Sequence, residues 1–242
     1  YCFHFAAIRV TECAQEPKKC MEIMVEPIYH ILDTCVREKI NKVVLASSAI
    51  IYGLAESFPT KESHHPYGNR NIFGAAKLFN EQLLRSFYEM YGLEYVALRY
   101  FNVYGPRMDV SSKYTEVMVR WLNSIRANEP PKIFGDGLTT IDFIYVKDVA
   151  MANILAMKSE AKDMFFNVGS GTETSLKETL DVLLRLSQSR LRPVYQEERK
   201  VNPVRRRLAS TELAKEYLGF QAHYELEDGL RELIEWHKKL KI

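Results

Sequence analysis

Apolar residues between Pro27 and Val36 fall at Ile28, Ile31, Leu32, Cys35 and Val36, the i, i+3, i+4, i+7, i+8 rhythm of a helix buried along one side. A strand-like opening, YCFHFAAI, precedes it, and a short apolar run, KVVLASS, follows. Phe79, Leu83, Phe87 and Met90 predict a second amphipathic helix. EYVALRYFNV then reads as a strand whose near-continuous hydrophobicity requires cover on both faces. The order is β-α-β-α-β, which predicts a parallel sheet with helices on both sides and ligands beyond the carboxyl ends of its strands.

Beyond Arg107 the rhythm loosens. A helix is expected from Tyr114 to Ile125, followed by a break at Pro130-Pro131 and a glycine turn at Gly135 to Gly137. The strand IDFIYV leads into a helix for which Asp148 is the expected N-cap. FFNVGSG is another buried strand closing on a turn, and Ser175 with Glu178 has the spacing of a capping box for a helix through Leu186. A last helix carries Leu230, Leu233, Ile234 and His237 on one face. There is no internal repeat and no low-complexity linker.

Composition narrows the function classes. The chain has 242 residues, 47% hydrophobic and 26% charged, enough to bury a substantial core. Its 33 Lys+Arg against 31 Asp+Glu leave +2, far from the basic excess of a nucleic-acid binder. Cys2, Cys13, Cys20 and Cys35 show no C-x-x-C spacing and no nearby histidine pair, which argues against a metal site and for a reducing cytoplasm. No apolar run approaches the ~20 residues of a membrane helix. Tyr1 is not an initiator methionine and stands in what reads as a mid-protein strand, so residues are expected upstream.

HFAA, SSAIIYG, a helix bearing G-x-x-K, RYFNVYGPR, DFIYVKDVA and NVGSG occur in this order. With them the chain resembles the extended short-chain dehydrogenase/reductases, and within these the NAD-dependent nucleotide-sugar epimerase/dehydratase family of the UDP-glucose 4-epimerase type. The resemblance spans residues 1 to 242. It implies a Rossmann-like, doubly wound parallel α/β sheet lacking its N-terminal part, over 1–105 and 141–168. A small α/β substrate-binding domain over 106–140 and 169–242 goes with it. Ahead of HFAA the family has about 70 residues that include the G-x-x-G-x-x-G turn cradling the dinucleotide pyrophosphate. That turn is absent from this sequence, and the strand containing HFAA is expected to present an uncovered apolar edge.

The resemblance also implies roles. In the family a tyrosine one helical turn before a lysine exchanges a proton with a sugar hydroxyl, assisted by a serine or threonine beyond the neighbouring strand, while NAD takes and returns a hydride. Lys77 matches the lysine and Ser48 the hydroxyl residue, and Phe73 stands at the tyrosine position with no proton to exchange. Tyr67, six residues earlier, is expected in a loop. Ala6, Ala7, Lys77 and Tyr100 fall at cofactor-facing positions. On the substrate side stand Ser48, Asn102 and Arg107, with Arg206 from the run Arg205-Arg206-Arg207 as the phosphate- or uridine-facing arginine.

Several positions depart from the family pattern. Met24 replaces an asparagine that reaches toward the cofactor, Pro27 interrupts or restarts a helix, and Ile141 replaces an arginine before Asp142-Phe143. Ala49 and Ile50 follow Ser48 where dehydratases have an acid pair, which favours epimerase ancestry. His64-His65 has only loop context. The expected partner is a nucleotide sugar, with neither nucleic acid nor membrane. Two readings stay open: an NAD-dependent epimerase disabled at Phe73, and a pseudoenzyme that binds a sugar nucleotide without redox chemistry. Pairing as a homodimer, or with a related subunit, is expected through the helices over 27–36 and 73–91.

Overall fold

The structure is a computed structural model that describes residues 1–110, 116–197 and 204–240. Its first sheet is wholly parallel, in the order β1 (Cys2–His4), β2 (Val43–Ser48), β3 (Tyr95–Tyr100), β7 (Met164–Val168). Alternation within the two central strands explains their unbroken apolar runs. Val43, Leu45, Tyr95 and Ala97 pack against Ile28, Leu32, Leu84 and Phe87 of α3 (Glu26–Arg37) and α4 (Ile72–Tyr91). Val44, Val96 and Leu98 face the other way, against Val149, Ala152 and Ala156 of α6 (Val146–Lys158) and Ala214 and Leu218 of α8 (Glu212–Leu218). Each central strand is therefore dry on both faces, as parallel strands require.

Between β1 and α3 the chain forms two short helices, α1 (Val10–Gln15) and α2 (Pro17–Met24). Pro27 takes an early position in α3, where its missing N–H costs nothing, so it starts a helix instead of breaking one. Cys13 and Cys20 form a disulfide joining α1 to α2, while Cys2 and Cys35 are free. Spacing gave no sign of that bridge. Among the described residues β1 pairs only with β2, and Tyr1, Phe3 and Phe5 are exposed along it.

After β3 only Phe101 intervenes before β4 (Asn102–Tyr104) joins a second sheet, in the order β10 (Arg206–Arg207), β6 (Thr140–Tyr145), β4. β8 (Glu173–Ser175) lies antiparallel on β6. β5 (Lys132–Phe134) pairs with β9 (Val194–Gln196). α5 (Val117–Arg126), α7 (Leu176–Leu186) and α9 (Leu226–Lys238) cover this region around Tyr104, Trp121, Leu183 and Leu233. The capping box at Ser175 and Glu178 forms in full.

Three sequence expectations shift. The buried face of α4 carries Phe73, Ala76, Lys77, Asn80, Glu81, Leu84 and Phe87, while Phe79 and Met90 are exposed. Polar residues with internal partners occupy the inner stripe, so hydrophobicity alone misplaced it. Asp148 does not cap α6. It lies buried in the first turn and its carboxylate accepts from the backbone N–H groups of His223 and Tyr224. The helix expected from Tyr114 starts at Val117, with Tyr114 itself outside the described residues. No helix among the described residues is long and apolar enough to cross a membrane.

Candidate active site

The carboxyl ends of β1, β2 and β3 open into a cavity of about 1300 Å³ whose far wall comes from α5, β5 and β10. Ser48, the last residue of β2, caps a 3-10 turn over Ala49–Tyr52, and its Oγ accepts from the Ile50 N–H at 3.2 Å. α4 begins beside it. Asn71 caps that helix through the Gly74 N–H at 2.8 Å, and a Cβ on Gly74 would stand 2.4 Å from the Asn69 amide oxygen. A larger residue there would displace the Asn69 side chain from its bonds to the Asn71 backbone, which gives the first member of G-x-x-K a reason.

One turn further, Lys77 lines the same cavity as Ser48 although it is only 3% exposed. Its Nζ donates to the Ala46 carbonyl at 2.6 Å. Burial lowers its pKa to about 8, against an opposing pull from Glu81. His4 is buried, and burial first, then the charge of Lys77, lowers its pKa. Phe73 has its ring centroid 5.7 Å from the Lys77 ammonium and packs against Cys13, Cys20, Met24 and Ala76 while bordering the cavity. It is thus core residue and cavity wall together.

Behind this wall runs a buried polar network. Arg99 grips Glu81 with two bonds, of 3.0 and 2.7 Å, and also donates to the Tyr52 hydroxyl and the Glu62 carbonyl. Ser47 donates to Glu81 at 2.5 Å, and Tyr52 to Asn167 at 2.6 Å. The network ties β2, β3, β7 and α4 together, and so fixes the angle at which Ser48 and Lys77 meet. Sequence reasoning missed all of it, because an ionic pair at the end of a strand reads as surface.

The other predicted residues divide. Ala7, Tyr100 and Asn102 line the cavity, the Tyr100 hydroxyl donating to Asn153 at 2.9 Å. Ala6 is exposed and does not line it. Arg107 is exposed with φ +71 and lines neither this cavity nor a smaller neighbour of about 320 Å³. Tyr67 is 80% exposed and stacks on His65. His64 accepts from the Glu56 N–H, a structural role.

Arg206 points away from the cavity. It forks onto Glu173, with contacts of 2.6 to 3.1 Å, and lies over the Phe58 ring. Arg207 is the inward-facing member of the run and lines both cavities. The reason is strand alternation: neighbours on β10 face opposite sides. Arg207 stands in register with Ile141 of β6, and Asn102 with Phe143, which puts both on one face of that sheet. Asp142 holds this register, accepting from the N–H groups of Ser170, Gly171 and Ala209. Among the described residues the Arg207 guanidinium has no hydrogen-bond partner, and burial lowers its pKa to about 10 against the pull of Glu116. Burial in turn raises the pKa of Glu116, against Arg9, Arg120 and Arg207. Ile141 lines the smaller cavity without charge.

A family model described as NAD dependent epimerase/dehydratase matches residues 1–169. The chain belongs to that family. It is similar to the UDP-glucose 4-epimerase of Thermotoga maritima, solved with UDP-glucose, at 32% identity and TM-score 0.93, over 98% of this chain and 76% of that one. A UDP-N-acetylglucosamine 4-epimerase from Methanobrevibacter ruminantium, solved with UDP-N-acetylmuramic acid, gives 33% and 0.92, over 97% and 75%. MoeE5, solved with UDP-glucuronic acid and NAD, gives 29% and 0.88, over 98% and 78%. The Rossmann-like α/β expectation therefore holds, as does the nucleotide-sugar epimerase kinship.

The residues of this chain make only part of a site for NAD. Ala7, Lys77 and Tyr100 stand on the cavity wall. Met24, however, turns its sulfur to Cys13 and Cys20 instead of the cavity, and the 242 residues contain no glycine-rich phosphate turn. A dinucleotide's pyrophosphate finds no cradle among them.

Proposed function

We propose that this chain binds a nucleotide sugar of the UDP-hexose class in an epimerase-type cleft that Phe73 leaves without proton transfer. The observation that carries this is the Phe73 ring beside the Lys77 ammonium in the wall of the cavity that Ser48 also lines. The sugar sits against Ser48, Phe73 and Lys77, and the diphosphate against Asn102 and Arg207, whose guanidinium fork suits phosphate oxygens. A cavity of about 1300 Å³ has room for such a ligand. A missing general acid-base group costs on the order of 10²- to 10⁴-fold in rate. The UDP-sugars bound by the similar epimerases support the ligand class.

Calorimetry with UDP-glucose should show binding, and an assay supplied with NAD should show no interconversion of UDP-hexoses. The same assay on Phe73→Tyr separates the two chemical readings: turnover appearing there identifies a disabled epimerase, and continued silence identifies a binding protein. Absence of UDP-glucose binding rejects both. Pairing through α3 and α4 belongs to the same proposal, supported by Tyr29, Phe79 and Met90 exposed on those helices. A strictly monomeric mass in solution contradicts it.

A further inference from the structure

All four cysteines of the chain lie within its first 35 residues. Two of them, Cys13 and Cys20, are already joined, and their bridge sits in the cluster that carries Met24, Phe73 and Ala76. The other two also meet. Cys2 stands on β1, at the edge of the first sheet, and Cys35 in the last turn of α3. Alternation along β1 sends Phe3 outward and Cys2 toward α3, where it packs on the cluster of Ile28, Leu32, Cys35 and Val43. A hydrogen bond joins the two thiols.

The partners differ in access. Cys2 is half-buried, whereas Cys35 is 5% exposed. Burial, and then the charge and hydrogen bond of Cys2, push the Cys35 thiol up to about 12, which keeps it protonated and inert toward reagents in solution. Cys2 is therefore the sulfur that an outside reagent meets first. Once Cys2 is bound to such a reagent, it no longer opposes ionisation of Cys35, and the buried thiol has an electrophilic sulfur beside it. One cysteine is placed to attack and its neighbour to resolve.

We propose that Cys2 and Cys35 are a thiol–disulfide pair that a low-molecular-weight disulfide closes, fastening the edge strand β1 to α3. In the first step the Cys2 thiolate attacks one sulfur of the reagent, forms a mixed disulfide and releases one thiolate. In the second, Cys35 gives up its proton and attacks the Cys2 sulfur, and the reagent's other thiolate leaves. The two protein thiols lose two electrons, and the reagent is reduced to two thiols. β1 runs on into Phe5 and Ala7, which line the large cavity, so the bond anchors the strand that leads to that rim. None of this depends on which ligand the cavity holds.

The test is thiol alkylation with peptide mapping on the full chain, before and after incubation with oxidised glutathione. Beforehand, Cys2 and Cys35 should both alkylate on denaturation. Afterwards neither should, and mapping should recover a peptide linked through Cys2 and Cys35. Cys35→Ser should stop at a single glutathione adduct on Cys2, and Cys2→Ser should leave Cys35 unmodified. The cross-linked chain should melt roughly 5–10 °C higher, because closing a loop of this length restricts the unfolded chain. A pair that stays open to alkylation, an adduct on Cys2 that never resolves in the parent chain, or links exchanged with Cys13 and Cys20 overturns the proposal. A mapped bond between Cys2 and Cys35 with no rise in melting temperature defeats the fastening of β1.

Discussion

The two ends of the large cavity treat their polar groups in opposite ways. At the Ser48 end the wall is knitted by internal hydrogen bonds: Lys77 donates to Ala46, Ser48 accepts from Ile50, Tyr100 donates to Asn153 and Ser47 to Glu81. At the other end Arg207 and Glu116 feel each other's charge with no hydrogen bond between them. Burial acts on both ends with different results. Lys77, with a pKa near 8, can relieve its desolvation by giving up a proton. Arg207, at about 10, stays charged at neutral pH, so its desolvation cost persists until an anion arrives. The first end holds shape, and the second is where the proposed reading places the diphosphate.

Breaking the first end should have the largest effect. Arg99→Ala leaves Glu81, which is fully buried, without its counter-charge, and should cost about 3–5 kcal/mol in urea unfolding. A loss below about 1 kcal/mol would mean that the network does not hold the wall. Arg207→Gln should weaken UDP-glucose binding by about tenfold or more, the worth of a charge-assisted bond, while Arg206→Gln should change it little because Arg206 is committed to Glu173. Equal effects from the two arginines would erase the distinction between inward and outward neighbours.

A third prediction concerns pH. The folded pKa of Lys77 is about 8 and its ordinary value 10.5, so between these the unfolded chain binds more protons and stability rises with pH. The stability of the parent chain relative to Lys77→Met should therefore grow by about 1 kcal/mol per pH unit across that window. A flat difference would show that Lys77 is better hydrated than its burial indicates. Phe73→Tyr should change stability least, by under about 1 kcal/mol, since the ring borders the cavity. A large loss would make Phe73 a core residue only.

Much of the first sheet was legible because its signal is local. Within KVVLASS and EYVALRY the runs VVLA and YVAL are apolar at every position, and only a strand covered on both faces tolerates that. Ser48, Phe73 and Lys77 were legible as a group only through the family resemblance, and the structure brings all three to one cavity. The inner face of α4 was not. Lys77, Asn80 and Glu81 look like solvent-facing residues until Ala46, Met24 and Arg99 are seen to meet them.

The sequence by itself determined the family, the central strands β2 and β3 with the helix between them, the capping box at Ser175 and the lack of an exchangeable proton at Phe73. Each of these depends on residue identity at fixed spacing along the chain. Tertiary structure alone decided that Arg207 and not Arg206 enters the cavity, that Cys13 meets Cys20, and that Arg9 and Glu116 line the same cavity as Lys77. Those facts depend on strand register and on contacts between distant segments. There a shift of one residue turns a side chain to the opposite face without altering composition or periodicity.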